Sequence, residues 1–504
     1  MLSVSHSGQP PDIPATFNMA ARVLGRAEEL GDKTALEVHG SGPVDTWSYA
    51  RLASAVRGTG TGLLSCGLVP GDRVLMRLGN TVDFPIAYLG ALAAGLVPVP
   101  TASALTVPEV AKIIGIIRPA AILRAPDVPC PEDAETLSPE VLRSWRDLPP
   151  CSFHMGDPER PGYIIFTSGT SGTPRSVVHA HRAILGRAMM FDGWYGLGQD
   201  DRLMHAGAFN WTYTLGTGLM DPWTCGATAL IPAPGTPSAG LPALLKKAQA
   251  TIFAAAPGVY RQMLRAPGPC DLPHLRHGLS AGEKMASGLA GAWQAATGTP
   301  VYEAYGMSEC STFISGAPGR PAADGALGQA QPGRRIALMN KNGPVARNSE
   351  GTIAVHRSDP GLMLEYLDAP DATAERMQGD WFLTGDQAVM DDAGQITYLG
   401  RSDDMMNAGG FRVSPIEVEN VLNACPGIGA SAVTDVIVAS GARVIAAFYT
   451  GPAPLDETAL QSYVEPRLAR YKQPRLYIHV PALPQGANGK ILRRALRDQF
   501  KAPK

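Results

Sequence analysis

A layered α/β protein carrying a second, smaller α+β unit is predicted for this chain of 504 residues. Three observations predict it. The length exceeds the roughly 250–300 residues that one hydrophobic core sustains, so at least two domains are required. Helical periods alternate with short β-branched runs up to about residue 320, the pattern of helices layered on a largely parallel sheet. After that point short strands divided by Asp/Gly turns take over, and a third segment with its own helix start begins near Arg401.

The elements follow in order. A strand is expected at Arg73–Met76. Phe84 to Pro100 is the most apolar uncharged stretch, at 17 residues, but Pro85, Gly90, Gly95 and Pro98 make it a poor membrane span. It reads as a buried helix, a glycine stop and a short strand. Further strands are expected at Ala121–Leu123, Tyr163–Phe166, Ala227–Ile231 and Ile252–Ala255, with helices at Val107–Ile117 and Leu241–Ala248. Gly351–His356 and Gln395–Leu399 flank turns such as Asp392-Ala393-Gly394 and read as hairpins of a small β unit. Ser414 can cap a helix, Pro415 suits its first position and Glu417 completes a Ser-x-x-Glu capping box, with the stop near Pro426. The division expected is 1–400 for a large N-terminal domain and 401–504 for a small mobile one, with the boundary at 400–403.

Hydrophobic residues at 45% and charged residues at 17% exclude wholesale disorder. A net charge of −2 supplies no global field for nucleic acid or an anionic membrane. The charge is nonetheless uneven: residues 401–504 hold 13 Lys/Arg against 9 Asp/Glu, a net of +4, which leaves −6 for residues 1–400. Between Arg467 and Lys504 ten basic residues face one acid, Asp498. This is either a surface that steers anionic ligands or a solvated helix face, since Lys490, Arg493, Arg494, Arg497 and Lys501 recur at helical spacing. Seven scattered cysteines form no CxxC pair or Cys/His cluster, which argues against a zinc site and for a reduced, cytoplasmic compartment. Met1 to Ala21 has no Lys or Arg and no continuous apolar run, unlike an ordinary secretory signal.

Five segments carry candidate chemistry. Thr167-Ser168-Gly169-Thr170-Ser171-Gly172-Thr173-Pro174-Arg175 follows an apolar strand and places five hydroxyls and two glycines in seven residues. Successive N–H groups on such a backbone can cradle an anion, and Arg175 adds a fixed charge. A solvated linker has the same composition. A P-loop is excluded, because Pro174 stands where its second glycine would be. Tyr302-Glu303-Ala304-Tyr305-Gly306-Met307-Ser308-Glu309 offers a flat ring and a carboxylate that can hold magnesium when phosphates supply the other ligands. Trp381-Phe382-Leu383-Thr384-Gly385-Asp386 ends in an acid that can bind a ribose or close an Asx-turn. Gly400-Arg401-Ser402-Asp403-Asp404 runs on to Gly409-Gly410-Phe411-Arg412. The last, Gly486-Ala487-Asn488-Gly489-Lys490, presents a lysine on a glycine turn.

In this order the five segments resemble the AMP-forming acyl-CoA synthetases of the adenylate-forming superfamily, which also holds luciferases and peptide-synthetase adenylation domains. The resemblance runs from about Thr46 to Arg494. It implies a carboxylic acid joined to ATP as an acyl-adenylate, with loss of pyrophosphate, followed by acyl transfer to CoA. By the resemblance, Thr167–Thr173 with Arg175 hold the β/γ-phosphates, and Glu309, with Thr170, holds Mg2+. Gly282-Glu283-Lys284 and Glu303-Ala304-Tyr305 line the adenine, with Gly306, Met307 and Ser308 continuing that wall. Asp386 binds the ribose, and Arg401 sits against the ribose and phosphate. Asp403 is the hinge about which the small domain rotates. In one pose Lys490 reaches the reacting carboxylate and α-phosphate; in the other Gly409, Gly410 and Arg412 face the thiol. The partners implied are the acid, ATP and CoA, with a homodimer left open.

The chain departs from the family loop at Arg175, where a lysine is usual, and at Ser176, where a glycine is usual. Arg175 keeps the charge but replaces a point ammonium with a planar fork. The segment Phe209-Asn210-Trp211 resembles the acyl-pocket loop. Acetate-specific members carry a tryptophan where this chain has Gly306, so an opening there, lined by Phe209, Trp211 and Met307, implies a medium-chain or benzoate-like acid. Two other functions fit the same residues: loading of a carrier-protein pantetheine, and non-catalytic nucleotide binding.

Overall fold

The computed structural model describes residues 1–40, 42–167, 175–265, 270–285, 287–402, 404–408, 411–438, 443–485 and 491–500. Its centre is a nine-stranded sheet in the order Gln329–Ala330, Ser311–Ser315, Val301–Met307, His277–Ala281, Ile252–Ala255, Arg202–Ala206, Thr228–Pro232, Thr34–His39 and Asp45–Ser48. The six strands from Val301–Met307 to Thr34–His39 run parallel. Antiparallel strands close both edges.

Parallel strands must be covered on both faces, and these are. Helices Leu241–Lys247, Pro257–Met263 and Ser287–Thr297 cover one face, burying Leu245, Tyr260 and Trp293 against Met204 and Phe253. Trp194, Tyr195 and Tyr213 cover the other, against Leu203, Ala254 and Leu279. A second parallel sheet joins Val97–Pro100, Arg73–Arg77 and Ala121–Arg124. The apolar stretch is the helix Asp83–Ala93, then Gly95 at φ +81°, then that first strand. Helix Val107–Ile117 starts on a complete Thr106/Glu109 capping box.

The strand before the Ser/Thr/Gly segment corrects an expectation. Pro161–Thr167 lies outside the parallel sheets: it pairs antiparallel with Arg175–Ala180, and Glu365–Tyr366 joins the far edge. A seven-residue connection, 168–174, is too short for a parallel crossover, which needs a dozen residues or more. The small β unit is antiparallel throughout, with Arg335–Asn340, Glu350–His356, Trp381–Met390 and Ile396–Arg401 side by side. Its last hairpin turns at Gly394, φ +82°.

The C-terminal segment packs helices Pro415–Asn423, Glu457–Val464 and Arg493–Gln499 on a three-stranded sheet, Ala430–Ile437, Arg443–Thr450 and Leu476–His479. Val413, Val418, Leu422, Val433, Ile445 and Val464 form its core. The capping box expected at Ser414 is half made. Ser414 Oγ accepts from the Glu417 amide at 3.3 Å, but the Glu417 carboxylate takes a hydrogen bond from Lys472 Nζ at 2.5 Å instead. A nearby ammonium outbids a backbone amide for a carboxylate. All seven cysteines are free thiols, and among the described residues no helix is long and apolar enough to cross a membrane.

Candidate active site

The site forms where the parallel strands end. Ala281 and Ala304 are paired across neighbouring strands, so Gly282-Glu283-Lys284 and Glu303-Ala304-Tyr305 emerge together. Gly282 has φ +98°, and a Cβ on it would lie 2.6 Å from the Trp211 indole. Glycine there lets the Trp211 loop close over the strand ends. Lys284 Nζ donates to Glu303 Oε2 at 3.0 Å, and the Met285 amide donates to Oε1 at 2.9 Å. Burial pushes the Glu303 carboxyl above its usual range, and Lys284 pulls it back only in part. These two side chains fix each other and make a wall.

Tyr305 and Asp386 meet from different sheets. Tyr305 Oη donates to Asp386 Oδ2 at 2.6 Å, and Tyr398 Oη donates to Oδ1 at 3.1 Å. The Arg401 guanidinium stands 4.0 Å from the same carboxylate, in register with it across the β ladder. An ionised carboxylate has about four acceptor positions, so two tyrosines leave room for a pair of hydroxyl donors. The Tyr305 ring sits edge-on to Phe313, centroids 5.3 Å apart.

Glu309 is 8% exposed, and its Oε1 accepts from Tyr366 Oη at 2.6 Å. Its carbonyl accepts from the Met363 amide at 2.7 Å. His179 Nε2 donates to the Ser308 carbonyl at 2.7 Å while its ring stacks on Tyr163. Burial holds that imidazole neutral, with a pKa pulled down to about 4. Thr167 and Arg175 face each other across the hairpin, and the Arg175 guanidinium lies 5.1 Å from the Tyr366 ring centroid. Arg175, Tyr366 and Glu309 therefore form one chain from the exit of the Ser/Thr/Gly segment to the acidic residue.

Two residues of the expected acyl pocket have packing partners of their own. Phe209 is a core residue, 2% exposed, with its ring against Phe84 at 5.9 Å; Asn80 pins its loop, accepting from the Phe209 amide at 2.9 Å and donating to the Gly207 carbonyl at 2.7 Å. Gly306 is approached closely by the neighbouring strand. A Cβ there would lie 2.1 Å from the Ser311 carbonyl oxygen and 2.5 Å from Thr312 Cα, because a bulge between Tyr305 and Gly306 brings the neighbouring strand against it. Any side chain at 306 meets backbone first. Asn210, Trp211, Met307 and Ser308 are half-buried. Residues 168–174, with Ser168, Gly169, Thr170, Ser171, Gly172 and Thr173, lie outside the described residues, as do Asp403, Gly409, Gly410, Lys490 and the Arg412 side chain.

Tyr366, His179 and Asn80 were missed from sequence. None sits in a segment of distinctive composition; each reaches the site through strand pairing or a long loop.

The AMP-binding enzyme model matches residues 25–367, and the AMP-binding enzyme C-terminal domain matches residues 417–490. The chain belongs to the AMP-binding enzyme family. It is 31% identical to the benzoate–CoA ligase of Thauera aromatica over 98% of this chain and 99% of that protein. It superposes on a benzoate CoA ligase from Burkholderia xenovorans with a TM-score of 0.84 at 27% identity, covering 95% of this chain and 100% of that one. ATP-bound MatB from Rhodopseudomonas palustris gives 0.85 at 27% identity, over 95% and 98%.

For this AMP-binding enzyme, magnesium would arrive with the phosphates. Among the described residues no group of three or more His, Cys, Asp or Glu side chains could hold a metal ion. One carboxylate, Glu309, with one oxygen engaged by Tyr366, fits an ion whose other ligands are phosphate oxygens and water.

Proposed function

We propose that the chain is an AMP-forming acid–CoA ligase acting on a carboxylic acid larger than acetate, with a benzoate-like ring as the favoured class. The single observation that carries this reading is the Asp386 carboxylate, held by Tyr305 and Tyr398 at the ends of the parallel strands and beside Arg401. Such a carboxylate would suit a ribose, next to a ring that could lie against a base. The likeness to benzoate–CoA ligases over almost the whole chain supports the acid class.

In the first half-reaction an oxygen of the acid attacks the α-phosphorus of ATP, a new P–O bond forms and pyrophosphate leaves. A free carboxylate is a poor electrophile, and the mixed anhydride with AMP gives it a good leaving group. The chain's part is to position the two reactants and neutralise charge. Thr167, Arg175 and the residues between them would take the β/γ-phosphates, Asp386 the ribose hydroxyls, and Lys490 the charge on the carboxylate and α-phosphate. In the second half-reaction the CoA sulfur attacks the acyl carbon and AMP leaves. The 401–504 segment would turn about Asp403 between the two, presenting Gly409-Gly410 and Arg412 to the thiol. Trp211, Asn210 and Met307 would border the acid. Seven free thiols support a cytoplasmic location.

A panel of acetate, octanoate, benzoate and ring-substituted benzoates, assayed for CoA thioester with ATP, tests the acid class. Benzoates are expected to give the highest kcat/KM; a preference for acetate would reject it.

A further inference from the structure

Ser311 closes the turn after Glu309 with φ +59°, a backbone conformation that a side chain normally makes unfavourable. Glycine would sit there without strain, yet the residue is serine. Its hydroxyl has a specific partner. Arg187 Nη1, from helix Ala183–Met190, donates to Ser311 Oγ at 2.6 Å.

The guanidinium is itself locked. Arg187 is 5% exposed, and Asp221 grips it in a fork, accepting from Nε at 2.9 Å and from Nη2 at 2.6 Å. The hydroxyls of Thr217 and Tyr195 accept from Nη2 at 3.1 and 3.3 Å, and Tyr195 in turn donates to Asp221 at 2.8 Å. A Cβ at Gly216 would fall 2.1 Å from the guanidinium carbon, so the space is cut for this one cation. With the plane of the fork fixed, the direction of the remaining Nη1 donor is fixed as well. What it holds matters to the site. The Ser311 carbonyl and Thr312 Cα pack directly on Gly306, and the three residues between Met307 and Ser311 include Glu309.

We propose that Ser311 is a positioning residue for adenylation: its hydroxyl, anchored by the Arg187–Asp221 pair, fixes the turn that presents Glu309, and the backbone strain at 311 is retained because glycine has no hydroxyl to anchor. This inference rests on the acid–CoA ligase reading.

Two substitutions separate the strain from the hydroxyl. Ser311→Gly removes both; Ser311→Ala removes the hydroxyl and keeps the strain. Acid-dependent ATP–pyrophosphate exchange, thermal melting and calorimetric titration with MgATP are measured on each. Both variants leave Arg187 Nη1 without its hydroxyl, so Ser311→Gly is expected to melt above Ser311→Ala, while kcat/KM for ATP falls about tenfold or more and MgATP binding weakens. Ser311→Ala is expected to show the same loss with no gain in melting temperature. Exchange and MgATP affinity within about twofold of wild type in both variants would overturn the proposal, as would a Ser311→Gly protein that melts below Ser311→Ala. Failure of the wild-type enzyme to exchange pyrophosphate with any acid would instead reject the ligase reading.

Discussion

Tyr366 donates its phenol to the Glu309 carboxylate at 2.6 Å while its ring lies under the Arg175 guanidinium. The Glu309 carboxylate and the Arg175 guanidinium thus share one buried aromatic residue, and neither contact is visible from either motif alone.

Tyr366→Phe keeps the ring and removes only the donor. Losing a hydrogen bond to a charged group costs about 1.5–3 kcal/mol of folding stability, and with Glu309 no longer held in place the magnesium concentration needed for half-maximal pyrophosphate exchange is expected to rise. The melting temperature is expected to fall by several degrees. A magnesium titration of both proteins checks this, and superimposable curves would detach Glu309 from the metal.

Phe209 and Trp211 are expected to part company. Phe209→Ala removes a buried ring packed on Phe84 and is expected to cost about 3–5 kcal/mol of stability, with the order of preferred acids preserved among molecules that fold. Trp211→Ala opens space beside Gly282 and is expected to change relative kcat/KM between acids by about tenfold or more, at the scale of a methylene or two in an apolar pocket. Urea unfolding and the acid panel, run on both variants, distinguish the two roles.

Stability is expected to fall steeply in mild acid. Burial holds four histidines neutral: His179 and His277 are pulled down to about 4, His181 and His205 to about 3. In the unfolded chain each takes up a proton near pH 6.5; in the folded protein none does until much lower pH. The unfolded state therefore binds more protons between pH 6.5 and 4, and stability present above pH 6.5 is lost as the pH falls through that window. Each residue contributes roughly 3 kcal/mol of that loss by pH 4, at about 1.4 kcal/mol per pH unit. Four such losses are comparable to the whole stability of an ordinary domain. Urea midpoints measured from pH 7.5 to 4.5 should hold nearly level down to about pH 6.5 and drop steeply below it; a flat profile would mean that these imidazoles accept protons in place.

Lys490→Ala separates the half-reactions. Removing a preorganised electrostatic group typically costs about 10²–10³ in kcat, and that loss is expected in adenylation. Thioester formation from pre-made acyl-adenylate and CoA is expected to stay near the wild-type rate, since the small domain would have carried Lys490 away. Parallel loss in both steps would defeat the two-pose account.

The legible parts of this fold were those set by local pattern. Helix Val107–Ile117 and strand Ile252–Ala255 fall where periodicity puts them, because capping, β-branching and glycine stops act over a few residues. Pairing partners were less legible. The strand Pro161–Thr167 looks like its parallel neighbours, and only the short connection to Arg175 shows that it must turn back on itself. The site divided in the same way. Glu309, Asp386 and Tyr305 stand in segments of unusual composition, whereas Tyr366, His179 and Arg187 are ordinary residues in ordinary contexts that reach the site only through long-range packing. The close approach of the Ser311 backbone to Gly306 was not legible for a related reason: a one-dimensional comparison of side chains does not contain it.

The most direct measurement of the central claim is the product analysis of ATP turnover with benzoate in the presence and absence of CoA. Without CoA, the enzyme is expected to catalyse benzoate-dependent exchange of labelled pyrophosphate into ATP; with CoA, it is expected to release AMP, pyrophosphate and benzoyl thioester in equal amounts. ADP and inorganic phosphate as products, or exchange that proceeds equally well with no acid present, would contradict it.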